Sequence, residues 1–186
     1  MSTALRMKRT IINPVIKDKA TFLQTSSESE GKSSEIEITL YNGGSNVLHY
    51  HKTYSGTLTA IEGRLGLRLG KNEIKYLEPG ESHTVAPMSL HSFFNPLKTE
   101  IRFHVSIKPG HQGFENALRI LYGMAEDGLT NHKSIPRSLR HVAILIEMSD
   151  MSRPGLFTWI SPILSIIARW AKRKGEDKVL IDRYCK

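Results

Sequence analysis

Two histidines one residue apart, His49 and His51 in "VLHYHKTYSG", are the residues whose types and spacing best suit chemistry. In an extended strand, residues i and i+2 project from the same side, about 7 Å apart along the backbone. Both imidazoles can then reach one divalent ion at about 2.0–2.1 Å, provided that a third ligand arrives from elsewhere. His91, in "APMSLHSFFN" after the "EPGE" turn, is the candidate for it. The other reading of the same residues is a pocket lined by hydrogen-bonding imidazoles with no metal.

The elements that must position these residues fall into two halves. From about Ile11 to Lys108 the hydropathy pattern has period two. "EIEITLY" alternates Ile36, Ile38 and Leu40 with polar residues, and "RLGLRLG" and "IRFHVSI" do the same. Gly- and Pro-containing turns separate them, which predicts an antiparallel sandwich or barrel. The polar run "TSSESEGKSSE" reads as a surface loop. After "KPGHQG" the period becomes helical. One helix carries Phe114, Ala117, Leu118, Leu121 and Ala125 on one face and stops at Gly128. A second opens at Pro136, with Leu139, Val142, Ala143 and Ile146 inward. A third opens at Ser161-Pro162 with Ile163, Ile166, Ile167 and Trp170, and a short fourth covers about residues 178–184. The expected organisation is a β-barrel over residues 1–110 and a helical extension over 111–186, packed on the barrel or on a second subunit.

Composition narrows the function classes. The 186 residues are 39% hydrophobic and 24% charged, enough to bury a core. Cys185 is the single cysteine, so no intramolecular disulfide forms, which fits a reducing, cytoplasmic setting. The N-terminus lacks the apolar core of a secretory signal. The window 156–171, "LFTWISPILSIIARWA", is too short for a membrane span. The formal charge is +8, but the basic residues are scattered and no nucleic-acid motif is present, so a nucleic-acid partner is not expected.

The two histidine segments resemble the motifs of the cupin superfamily. Its first motif is Gly, five residues, His-x-His, three or four residues, Glu, six residues, Gly. This chain has Gly43, His49-Tyr50-His51, Gly56 and Gly63 in that register, with Gly56 where the glutamate stands. In the second motif Gly80, His91 and Asn95 keep register. Ala86 and Met88 occupy its proline and glycine positions, and Pro87 is displaced by one. The resemblance covers roughly residues 10–110. It implies a double-stranded β-helix (jelly-roll) barrel with a C-terminal α-helical extension, and a divalent metal (iron, zinc, manganese or nickel) held by His49, His51 and His91. It also implies a homodimer and a small organic ligand or substrate, with dioxygenase- or isomerase-like chemistry. A small-molecule-binding barrel with no functional metal is the alternative.

The remaining candidates form the expected pocket. Leu58 and Ala60 continue the parity of Gly56, Phe93 shares that of His91, and together they make an apolar wall that also serves as plain core. Tyr54 follows the histidine strand and can overhang the pocket. His104 is a candidate pocket base on the polar face of "IRFHVSI", where a surface position is the other reading. Gly56 is open to two readings: a lost ligand that leaves room for substrate, or a turn residue needing positive φ. The stretch with Trp159, Trp170 and "AKRK" has the pattern of an interfacial amphipathic helix, but burial of its apolar stripe on the barrel is the expectation.

Overall fold

The computed structural model describes residues 8–186, excluding the side chains of 156–159; residues 1–7, where no secretory signal is expected, and the Trp159 side chain lie outside the described residues. Ten strands precede the helices: β1 (Thr10–Asn13), β2 (Asp18–Gln24), β3 (Ser34–Leu40), β4 (Tyr50–His51), β5 (Ser55–Glu62), β6 (Leu65–Leu69), β7 (Glu73–Leu77), β8 (Ser82–Val85), β9 (His91–Phe94) and β10 (Ile101–Lys108). They are followed by α1 (Gln112–Glu126), α2 (Leu139–Ser149), the short β11 (Met151–Ser152), α3 (Leu156–Arg173) and α4 (Glu176–Tyr184).

One antiparallel sheet has the order β1-β2-β3-β10-β5-β8, and a second has β7-β6-β9. Bridges Ser45–Phe94 and His49–His91 lay the segment leading into β4 along the free edge of β9. The strands from β3 to β10 therefore form two four-stranded layers, β3-β10-β5-β8 and β4-β9-β6-β7. The chain passes between layers at β3–β4, β4–β5, β5–β6, β7–β8, β8–β9 and β9–β10. That winding is a double-stranded β-helix, the jelly-roll barrel of the cupins. Because side chains alternate, Ile36, Ile38, Leu40, Leu58, Leu67 and Phe103 fill the space between layers. The opposite face of the larger sheet is polar. Thr57 meets Thr84 (Oγ1–Oγ1 2.9 Å) and Thr59 meets Ser82 (2.8 Å) across β5 and β8.

Helix α1 lies between the barrel and the other helices. Phe114, Leu118, Leu121 and Tyr122 pack on the barrel core, while Ala117, Ile120 and Met124 pack with Ile144, Leu145, Ala171 and Leu180 of the remaining helices. The expected surface loop 25–35 is instead docked. Thr25, Ser26, Ser29 and Ser33 are buried. The carboxylate of Glu115 accepts from the Ser26 N–H and the Ser34 hydroxyl, both at 2.6 Å. Serine-rich composition signals a loop, but an acid 81 to 89 residues away satisfies two of its buried donors.

Two helices differ from their expected registers. The second begins after Ser138 rather than at Pro136, whose segment bridges back to Thr130. Leu139, expected inward, is exposed. The third begins at Leu156 and runs through Pro162. Among its described side chains Leu164, Ala168 and Ala171 are buried, while Ile163, Ile166 and Trp170, expected inward, face outward. On the inner face Ala143 of α2 packs with Leu164 and Ala168, and Ile160 and Ile167, the latter expected inward, pack against them. Among the described residues, no helix is long and apolar enough to cross a membrane.

Candidate metal centre

The bridge between His49 and His91 is reciprocal: His49 N–H donates to His91 O (3.0 Å) and His91 N–H to His49 O (2.8 Å). It brings the two imidazoles side by side, with ring centroids 4.4 Å apart. Strand parity then adds His51, whose ring lies 4.7 Å from that of His49 and 5.3 Å from that of His91. One nitrogen of each falls within 4.8 Å of the others, and all three residues are buried.

The hydrogen bonds around the cluster set its chemistry. His49 Nδ1 lies 2.7 Å from Val47 O, and His91 Nδ1 lies 3.0 Å from Ser89 O. A carbonyl only accepts, so both Nδ1 atoms carry the proton and both Nε2 atoms present lone pairs. Such outer partners orient metal-binding histidines. His49 Nε2 lies 3.1 Å from His51 Nε2. Ligands at 2.0–2.1 Å around a tetrahedral ion would sit roughly 3.3 Å from one another, close to that spacing. Burial, reinforced by the neighbouring imidazoles, pushes His49 down to about 3 and His51 down to about 2; burial likewise lowers His91. The donor set is thus neutral at physiological pH, as imidazole ligation requires. Three buried, uncharged imidazoles converging on one point fit a divalent ion. Among the described residues, no carboxylate joins the cluster.

Gly56 is a strand residue in β5, paired with Val85 and Ile107, and its φ is not left-handed. The turn reading is therefore corrected. A Cβ there would meet Ile107 Cδ1 at 3.7 Å, an ordinary contact. The left-handed position of the second motif survives at Met88, with φ 65°, where the cupin pattern has glycine. Met88 N–H donates to His51 O (2.6 Å), tying this turn to the histidine strand. Asn95 holds the turn after β9, donating to Leu40 O and Thr99 O and accepting from Leu97 N–H.

The helical extension closes the mouth of the barrel, a feature that no local sequence signal marked. Strand β11 pairs with β4, Met151 opposite His51 and Ser152 opposite Tyr50. The Asp150 carboxylate accepts from Thr53 Oγ1 (2.7 Å) and from Lys52 N–H (3.2 Å). Tyr54 is 1% exposed and stacks on His51, centroids 4.4 Å apart and planes 29° apart. Its hydroxyl donates to Ser149 O (2.9 Å). Burial and the Asp150 charge raise the Tyr54 hydroxyl above its usual range, so it stays protonated. Tyr54 is a wall of the site clamped from both sides, not an overhanging group. Phe114 meets His51 edge-on at 6.2 Å.

Other expected pocket residues lie elsewhere. Leu58 and Ala60 are in the barrel core, and half-buried Phe93 packs on it, edge to Phe103 at 5.0 Å. His104 is a correction: it sits on the outer face of β10 with Nε2 3.0 Å from the Glu35 carboxylate, because its parity is opposite to that of core Phe103. His111 caps α1, its Nδ1 accepting from Phe114 N–H (2.9 Å). A concavity of about 500 Å³ lies beside the cluster, lined by Leu69, His83, Val85, Ala86, Ser89 and Leu90 among others. Leu69 is the cross-strand partner of His91, and Ser89 holds the His91 ring.

No protein-family model and no curated protein matches the sequence. Among solved structures, an RmlC-like cupin from Shewanella frigidimarina is 19% identical with TM-score 0.48, covering 61% of this chain and 94% of that one. The polyketide cyclase RemF from Streptomyces resistomycificus is 18% identical, TM-score 0.47, covering 58% and 76%. KdgF from Halomonas sp. is 13% identical, TM-score 0.46, covering 51% and 81%. The double-stranded β-helix fold rests on the strand order of this chain, and its histidine register resembles that of the cupins.

Proposed function

We propose that this chain, a cupin by fold, is a metal-binding protein acting on a small organic molecule. The observation that carries the reading is the convergence of three buried, neutral imidazoles, two with their tautomers set by backbone carbonyls. His49, His51 and His91 would hold the ion, which supplies Lewis acidity when bound. The substrate would approach from the concavity beside β9, where Leu69, Val85 and Leu90 offer apolar contact. Tyr54 excludes water from one side of His51 and, being protonated and already donating, does not act as a base. Isomerisation or oxygen insertion on a weakly charged molecule is the chemistry such a site suits.

A second reading has its own support. Tyr54, β11 and the Asp150 contacts enclose the cluster, and each histidine is at most 7% exposed. Closed coordination marks structural metals, whereas catalytic ones keep an open position. In this reading the barrel binds a ligand without turning it over.

The test is metal content of untagged protein by plasma mass spectrometry, with His91→Ala alongside. Near-stoichiometric iron, zinc, manganese or nickel that disappears in His91→Ala is expected. Full occupancy in His91→Ala, or no metal after reconstitution, overturns the site. Cobalt-substituted protein separates the two readings: added azide shifts the visible spectrum of an open site and leaves a closed one unchanged.

A further inference from the structure

The outer face of α3 carries an exposed apolar stripe that the fold leaves uncovered. Ile163 is 58% exposed, Ile166 59% and Trp170 48%. Positions 163, 166 and 170 share one side of a helix, three and four residues apart. Exposed Arg169, Arg173 and Lys174 flank them. The segment 156–174 contains no Asp or Glu. Cations also gather at the indole, with the Arg140 guanidinium and the Lys174 ammonium each 5.9 Å from the Trp170 ring. Two nearby acids are engaged, Glu147 with Lys172 (2.8 Å) and Glu176 with Arg140 (2.7 Å). The inner face, Leu164, Ala168 and Ala171, is buried, so the stripe is a second apolar face and not the one that holds the helix down.

We propose that this face of α3 docks on an anionic lipid surface, lying in the interface plane with Ile163, Ile166 and Trp170 inserted among the acyl chains. A rim of Arg and Lys around aliphatic residues and one tryptophan matches a negatively charged headgroup layer in charge and amphipathicity. A second copy of the chain fits less well. A two-fold contact sets a patch against itself, so Arg169, Arg173 and Lys174 would meet their own kind with no acid on the helix to pair them. The proposal is independent of the metal centre.

The test is co-sedimentation of the full chain with phosphatidylcholine vesicles, with and without phosphatidylserine, together with tryptophan emission. Binding is expected only to the serine-lipid vesicles, with a blue shift that is lost in Trp170→Phe, and weakening with salt. Arg169→Glu with Arg173→Glu should lower partitioning roughly ten-fold or more, from about 1 kcal/mol per basic residue near such a surface. These side chains are exposed, and unchanged circular dichroism checks that the variants fold. Equal binding to neutral vesicles, or none to either, overturns the proposal. So does a dimer by light scattering that Ile166→Ser abolishes in a protein that ignores vesicles, which would assign the face to a second copy.

Discussion

In the barrel mouth three imidazoles are withdrawn from water, whereas on α3 two isoleucines and a tryptophan are turned toward it. The contrast comes from how each element meets its neighbours. A strand has two faces, and once one of them packs on the core every second residue follows it inward. His49 and His51 are buried for that reason, and backbone carbonyls and a stacked tyrosine compensate for their polarity. A helix has many candidate faces. α3 presents apolar residues over more than one stripe, and the one that packs is the stripe of Leu164, Ile167 and Ala168 facing Ala143 of α2. Hydrophobicity alone therefore places the inward residues of β3, β5 and β10 well and those of α3 poorly.

The largest expected effects separate the two faces of α3. Leu164→Ala on the inner face should cost about 2–5 kcal/mol of stability by lost packing and cavity formation. Ile166→Ser on the outer face should stay within about 0.5 kcal/mol. Urea unfolding midpoints measure both, and equal losses would mean that the outer stripe is covered in the folded chain.

The seam between barrel and extension adds a pH dependence. Asp18 of β2 is buried against the Tyr122 hydroxyl of α1. Burial raises its carboxyl to about 7, against the lowering effect of the Tyr122 hydrogen bond. Between about pH 4 and 7 the folded chain keeps a proton that the unfolded chain has lost. The stabilisation from this group is thus full below the unfolded value and is lost as pH rises through about 7, at up to about 1.4 kcal/mol per pH unit. Asp18→Asn should flatten that slope in unfolding curves taken from pH 5 to 8. An unchanged slope would place the pH dependence elsewhere.

Smaller effects are expected at the closure of the mouth. Tyr54→Phe keeps the stacking on His51 and removes the hydrogen bond to Ser149 O, for about 1 kcal/mol. Hydrogen exchange at Met151 and Ser152 should quicken with it if this bond helps to hold β11 on β4. Smallest of all, Gly56→Ala places a methyl in ordinary contact with Ile107 Cδ1 (3.7 Å) in a strand and should stabilise by about 0.4–1 kcal/mol through the unfolded state. A loss of stability there would show that the backbone needs glycine after all.

The sequence by itself determined the elements whose signal is local. Period-two alternation marked the strands, and two motifs in register marked the barrel. The spacing of His49, His51 and His91 marked the centre, because parity and turn length suffice to place such residues. What only the tertiary structure decided involves partners distant in the chain. The closure of the mouth by β11 brings residue 151 against residue 51 through a two-residue strand too short to carry a pattern. The docking of loop 25–35 depends on Glu115. The outward His104 was already the alternative that its polar-face parity offered, and its partner is Glu35. The inner face of α3 was settled by its packing against Ala143 and Ile146 of α2, a condition that belongs to two helices at once and is written in neither.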